Sequence, residues 1–403
     1  MASPVSFTVT SASGTATYLG RARPVVAPNP AGLPSWVPAA GTLGNISLNT
    51  ISSVYDINNA DTFLRGSPAI LNAWCSTCYA KDYGTYGSIL AFGGGHQDYL
   101  GNEVYRYDIY NRLWSRITDG TPVPIRIQDF DSVAGNEYGE FWTSTAKTAV
   151  IVGKPAPPHT YGNLKYVPAV DAGNTNGWLI LFGGFSFQAH KVDLDNLAAG
   201  WSRFGPLMNT VTTQAMSYGC TVYDSFRKRL FGFPLNNAPQ STASVLSVPA
   251  GAFSNPGQDY IDSYYTVGMY DAADDLYFIS KLTSSAGRWN LSVHDPVTGV
   301  KHLPPSSGQV PTNLEYGGGT ITWIESTRQL VYIPIDNNKV FFAAAPANPR
   351  TGTWVWSMQT LGGVLNVSGP NPMYERLHYV PQINSLMYVG QTTTAVQCFQ
   401  LTN

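Results

Sequence analysis

Six times along this chain a short apolar strand, a turn and a second apolar strand recur, and a third strand follows each pair. The clearest copy runs Ser88-Ile-Leu-Ala-Phe-Gly-Gly-Gly-His96, then Asn102-Glu-Val-Tyr-Arg-Tyr-Asp108, then Leu113-Trp-Ser-Arg-Ile117. The next reads Trp178-Leu-Ile-Leu-Phe-Gly-Gly184, then Ala189-His-Lys-Val-Asp193, then Gly200-Trp-Ser-Arg-Phe204. Alternation of apolar and polar residues marks strands with one face in a core. Units of four short strands repeating about every 40–55 residues are how a β-propeller looks in sequence. The fold expected is all-β, a six-bladed propeller.

The inner two strands of each blade are read at Trp74–Tyr79 with Ser88–Phe92, and at Leu164–Val170 with Trp178–Phe182. Blades three and four have Tyr218–Tyr223 with Leu230–Phe233, and Tyr265–Tyr270 with Leu276–Ser280. Blades five and six have Thr320–Ile324 with Leu330–Ile335, and Arg376–Val380 with Ser385–Val389. Fourth strands carry Trp114, Trp201 and Trp354/Trp356, and are weakly marked near Ala252 and Val300. Blade six has none of its own, which would leave an open sheet edge. The Trp-centred stretch Leu33-Pro-Ser-Trp-Val-Pro38 is expected to fill that place beside Ala395–Leu401, so that an N-terminal strand closes the ring. Residues 1–32 then form an N-terminal arm, 33–403 the propeller, and 118–163 an inserted loop or hairpin on one face.

Only 12% of the residues are charged, against 39 glycines, 28 prolines and 24 tyrosines. That describes many strands and tight turns under a Ser/Thr/Asn/Tyr-rich surface. A net charge of −2 offers no footprint for a phosphate backbone or an anionic membrane. The start, Met1-Ala-Ser-Pro-Val-Ser-Phe-Thr-Val-Thr10, lacks a basic segment followed by an apolar run, so no secretory signal is expected. No window reaches 18 uninterrupted apolar residues, and membrane insertion is not expected.

The order of strand, double glycine, polar loop, Val-Tyr-x-Tyr-Asp, spacer and Trp resembles the kelch repeat. Blades one and two carry it at Gly93-Gly94 with Asp108 and Trp114, and at Gly183-Gly184 with Asp193 and Trp201. Blade two also has the proline-histidine lead-in Pro157-Pro-His-Thr-Tyr161. Blades three to six match by spacing alone. The resemblance implies a propeller used for binding, for structure, or as the scaffold of a copper oxidase, and the fold does not choose among them.

The candidate binding loop is Gly93–Asn102, where His96, Asp98 and Tyr99 offer a base, a carboxylate and a stacking face and Asn102 a turn cap; His159 and Tyr161 of the lead-in join the set. The competing reading gives these residues turn-capping and backbone hydrogen-bonding roles. A copper oxidase of this fold needs two histidines, two tyrosines and a crosslinked cysteine. Here the six histidines (His96, His159, His190, His294, His302, His378) are spread over several blades, and no metal or organic cofactor is expected. Cys75-Ser-Thr-Cys78 lacks the second ligand pair that zinc requires and reads as buried structural thiols. Asp274-Asp275, in a hairpin turn, reads as a solvated pair.

With no catalytic residue assigned, the chain is expected to be a non-enzymatic structural protein, resembling a bacteriophage tail component at the nozzle or in host adsorption. Its partners would be other virion proteins or copies of itself in a ring, with a host-surface glycan as a further partner. No sequence-specific nucleic acid is expected, and the location would be the virion. A carbohydrate-binding or galactose-oxidase-like propeller, cytoplasmic or extracellular, is the alternative, supported by 10 tryptophans and 24 tyrosines that blade packing would equally explain.

Overall fold

The computed structural model describes residues 32–55, 70–71, 74–94, 101–120, 154–155, 157–182, 189–206, 219–234, 243–248, 250–256, 266–281, 291–311, 319–334, 338–366 and 373–402. It also describes the backbone of one N-terminal hairpin, Val5–Ser11 with Gly14–Gly20. Apart from that hairpin, six antiparallel sheets carry the repeat. Blade one is Thr77–Ala80, Ser88–Ala91, Tyr105–Asp108 and Leu113–Arg116. Blade two is Leu164–Val167, Trp178–Leu181, Ala189–Asp193 and Trp201–Phe204. Blade three is Cys220–Asp224, Arg229–Phe233, Ser244–Ser247 and Phe253–Ser254. Blade four is Thr266–Asp271, Leu276–Lys281, Leu291–His294 and Lys301–His302.

Blade five is Thr320–Ile324, Gln329–Ile333, Lys339–Ala344 and Trp354–Thr360. Blade six takes its first three strands from the C-terminus, Leu377–Val380, Ser385–Tyr388 and Gln397–Gln400. Its fourth is Leu43–Asn45, paired so that Asn45 faces Gln397 and Leu43 faces Phe399. The expected segment, Leu33–Pro38, is not a strand. Two prolines bracket it, and it folds as a turn in which Val37 N–H donates to Pro34 O at 3.0 Å. A proline has no N–H to give a ladder, whereas Leu43-Gly-Asn45 has all of its own.

Other features depart from the alternation, and the opening strand of blade one, expected from Trp74, begins at Thr77. The first strand of blade two stops at Val167, not Val170, because Pro168 begins a one-turn helix, Ala169–Ala172. Blade five gains a fifth strand, Ser306–Gly308, which lies parallel to Trp354–Trp356. Its residues alternate no apolar side chains, so it pairs through backbone alone and leaves no periodic trace.

Each sheet buries both faces. Six apolar clusters occupy the seams between successive blades. Leu90 and Phe92 of blade one meet Leu179, Leu181 and Trp201 of blade two. Tyr105 and Tyr107 of blade one meet Met387 and Cys398 of blade six, with Ile46 and Ile51 from the N-terminal segment. A fully buried side chain of this size contributes about 1.5–3 kcal/mol, so the seams hold most of the apolar stabilisation.

At the hairpin turns of blades three, four and five the seams are charged. Asp224, wholly buried, accepts from Tyr277 Oη at 2.7 Å, Arg227 Nη1 at 2.9 Å and Arg229 Nε at 3.1 Å. Arg227 also forks onto Asp275 of blade four at 2.8 and 2.6 Å. Arg328 of blade five bonds Asp274 and Asp271. Asp274-Asp275 is therefore not a solvated pair. Its carboxylates face opposite ways around the ring and meet arginines of different neighbours, a pairing invisible in any local stretch of sequence. No helix among the described residues is long and apolar enough to cross a membrane.

Candidate functional site

The first strands of successive blades pack against one another around the ring axis. Among the described residues three aromatics stand at equivalent positions just before these strands: Trp74, Tyr161 and Tyr374, each three residues ahead of its strand. All three have left-handed backbone, at φ 50°, 47° and 34°. A bulky side chain pays about 1–2 kcal/mol for that conformation, so the surroundings must hold it. Tyr161 N–H donates to Trp74 O at 2.9 Å. The Trp74 and His159 rings lie 4.8 Å apart, His159 and Tyr161 5.7 Å, and Tyr161 and Tyr374 5.6 Å. His159 Nδ1 is 3.2 Å from Tyr161 Oη.

His159 and Tyr161 of the expected site thus come together, but both are buried and they belong to an aromatic cluster with Trp74 and Tyr374. Asn102 is buried: its Nδ2 donates to Pro155 O at 3.1 Å, and its backbone carbonyl accepts from Trp201 Nε1 at 2.9 Å. The assignments to His96, Asp98 and Tyr99 lie outside the described residues, as do residues 121–153 of the insert. Trp74 and Tyr374 escaped the sequence reading. The available signal was an aromatic ahead of each first strand, as in Tyr161-Gly162 and Tyr218-Gly219.

Gly93 shows why the double glycine stands where it does. Its φ is +120°, and a Cβ there would come within 2.7 Å of Cys75 Sγ and 2.9 Å of Pro158 O. Only glycine lets the lead-in of blade two lie against blade one. Gly94 N–H then donates to Cys75 Sγ at 3.0 Å, and Thr160 Oγ1 accepts from Ser76 N–H at 2.8 Å.

Polar side chains of blades one, two and six also meet at the axis. Lys165 of blade two, buried, reaches past blade one to Glu375, partly buried ahead of blade six. Thr77 Oγ1 donates to Glu375 O at 2.9 Å and lies 2.7 Å from His378 Nε2. A hydroxyl has one hydrogen, so with Thr77 donating to the carbonyl, His378 must donate from Nε2. Burial, then the charge of Lys165, pushes His378 down to about 3, and the ring is neutral. Burial pushes Glu375 up to about 7 against the pull of Lys165. Burial also raises all four thiols, Cys220 and Cys398 to about 12.

The axial histidine is neutral, the carboxyl is occupied by a lysine, and the thiols are held protonated. Among the described residues no group of three or more His, Cys, Asp or Glu is placed to hold a metal ion.

No family model matches the chain, and no curated protein matches it. Solved structures are similar in shape. A structural genomics protein of unknown function from Bacteroides thetaiotaomicron VPI-5482 aligns with TM-score 0.49 and 9% identity, over 88% of this chain and 74% of that one. A chain of the Mitotic Checkpoint Complex gives 0.47 and 10%, over 95% and 97%. TolB from Acinetobacter baumannii gives 0.37 and 10%, over 71% and 55%. None of these transfers a function at such distance.

Proposed function

We propose that this chain is a non-enzymatic structural propeller of a virion, serving in a bacteriophage tail at the nozzle or in host adsorption. The observation that supports the non-enzymatic half is the polar cluster at the axis. Lys165, Glu375, His378 and the thiols are engaged with one another or held neutral by burial. The virion half rests on composition, that of an all-β chain with few charges and a surface rich in Ser, Thr, Asn and Tyr. Its propeller is of kelch-like type, closed by Leu43–Asn45, and its partners are other virion proteins or further copies of the same chain. Mass spectrometry of purified particles tests this. The chain should appear in stoichiometric amount with the other tail proteins, and its absence from intact particles would refute the assignment.

A second reading, glycan binding, has one specific support. Trp36, Tyr86 and Tyr110 form a partly exposed aromatic row beside blade one, with ring centroids 6.4 and 5.6 Å apart and Arg112 6.0 Å over Trp36. Aromatic faces of this kind stack on sugars. A glycan array probed with the protein and with Tyr110→Ala should show binding that the substitution removes; an array blank for both excludes this reading.

A further inference from the structure

Among the described residues, charge beside the axis does not balance. Lys165 is matched by Glu375, but Arg376, wholly buried, joins no ion pair among the described residues. Its Nε donates to Cys75 O at 2.9 Å and its Nη1 to Gly390 O at 3.0 Å. Its Nη2 meets no acceptor among the described residues. A guanidinium stays ionised in proteins, and a buried ion is tolerated where a counter-charge and a full set of hydrogen bonds accompany it. Two carbonyl dipoles offset part of the charge here, leaving one nitrogen and a net positive charge over.

The groups closest in charge terms are Tyr388, Cys75 and Tyr374. None supplies a counter-ion at neutral pH. Burial raises the Cys75 thiol, and phenols ionise in water only near pH 10. The Tyr388 hydroxyl is turned to Met373 Sδ. A buried polar group left unsatisfied in this way marks a bound water or ion, and the unmatched charge favours an ion.

We propose that Arg376 Nη2 marks an anion site between Cys75 of blade one and Gly390 of blade six, taking a small monovalent anion. Nε and Nη1 are fixed by Cys75 O and Gly390 O, so the guanidinium is held in place before the ligand arrives. One remaining nitrogen and one unmatched charge suit a halide or a single carboxylate oxygen. A phosphate dianion would require a second cation or the guanidinium's full fork.

The test is thermal unfolding of the full chain in halide-free buffer, with ionic strength held by a bulky sulfonate. Chloride and acetate are titrated separately. The expected result is a saturable rise, about 3 °C at a hundredfold excess over the dissociation constant, and no rise in Arg376→Gln. A response to acetate alone identifies a ligand carboxylate, and a response to chloride identifies a halide; either supports the site. Crystals soaked in bromide give the direct measurement should Arg376→Gln fail to fold, with an anomalous peak expected within hydrogen-bond distance of Nη2. Melting no different from the sulfonate control, together with an ordered water and no bromide at Nη2, would overturn the proposal.

Discussion

Between blades three, four and five, neighbouring hairpins are tied at their turns by ionised side chains, with Asp224 and Asp275 gripped by arginines. Between blades six and one the ties are of another kind. Backbone does most of the work there: Ile46 N–H donates to Val396 O at 2.9 Å, Leu48 N–H to Arg112 O at 2.9 Å, and Ser52 N–H to Thr392 O at 3.0 Å. Asn49 brackets Trp114, giving its Nδ2 to the carbonyl at 2.9 Å and receiving the N–H at 2.7 Å. Arg376 adds its two bonds to carbonyls. Blades consecutive in sequence are already tethered, so side chains suffice to align their turns. Where distant parts of the chain meet there is no tether, and paired backbone supplies the register that a linker would.

The largest expected effect follows from that contrast. Truncation through residue 50 removes Leu43–Asn45, buried Ile46 and the Asn49 bracket, and should cost about 5 kcal/mol or more. Truncation through residue 40 keeps all three and should cost no more than about 2 kcal/mol, chiefly from the half-buried Trp36. Urea melts of both would measure it. Equal losses would mean that the paired strand is not what holds the six–one seam.

Next in size is Asp224→Ala. It leaves Arg227, Arg229 and Tyr277 without their shared acceptor and should cost about 3–5 kcal/mol. A double-mutant cycle with Arg229→Ala should return a clear coupling energy. Additive losses would reduce the charged seam to decoration on an apolar one.

The smallest effect is a pH dependence at the axis. Glu375, raised from 4.5 to about 7, gives stability present in full below pH 4.5 and lost as pH rises through 7. His378, lowered from 6.5 to about 3, gives stability present above pH 6.5 and lost as pH falls towards 3. Between pH 4.5 and 6.5 the two slopes oppose, and the native chain should be nearly flat. His378→Gln retains a donor for Thr77 but removes one slope. It should lose up to about 1.4 kcal/mol per pH unit as pH rises through that window. Glu375→Gln should slope the other way. A flat profile in both variants would show that neither group titrates as its burial implies.

Much of the ring was legible in the chain. Inner strands such as Leu276–Lys281 and Thr320–Ile324 announce themselves because period-2 alternation is a local property. The aromatic cluster was half legible: His159 and Tyr161 stand in a marked motif, whereas Trp74 and Tyr374 are brought to them only by the ring. The same reason hid Lys165 with Glu375, which are separated by 210 positions, and turned Asp274-Asp275 from a solvated pair into an interblade tie. Leu43–Asn45 was missed in favour of Trp36 because three residues of backbone pairing leave a weaker mark than one tryptophan.

The added strand Ser306–Gly308 bears on how the molecule behaves at high concentration. An uncovered outer strand offers its free N–H and C=O groups to any other chain, and the hazard grows with strand length. Most outer strands here are short, two residues in blades three and four, three in blade six and four in blades one and two. Trp354–Thr360 is seven residues long and exposes Val355. Along Trp354–Trp356 its outer edge is already taken by Ser306–Gly308. Substituting proline at Ser307 would strip that cover, and the variant, still folded, would be the one to form strand-to-strand aggregates.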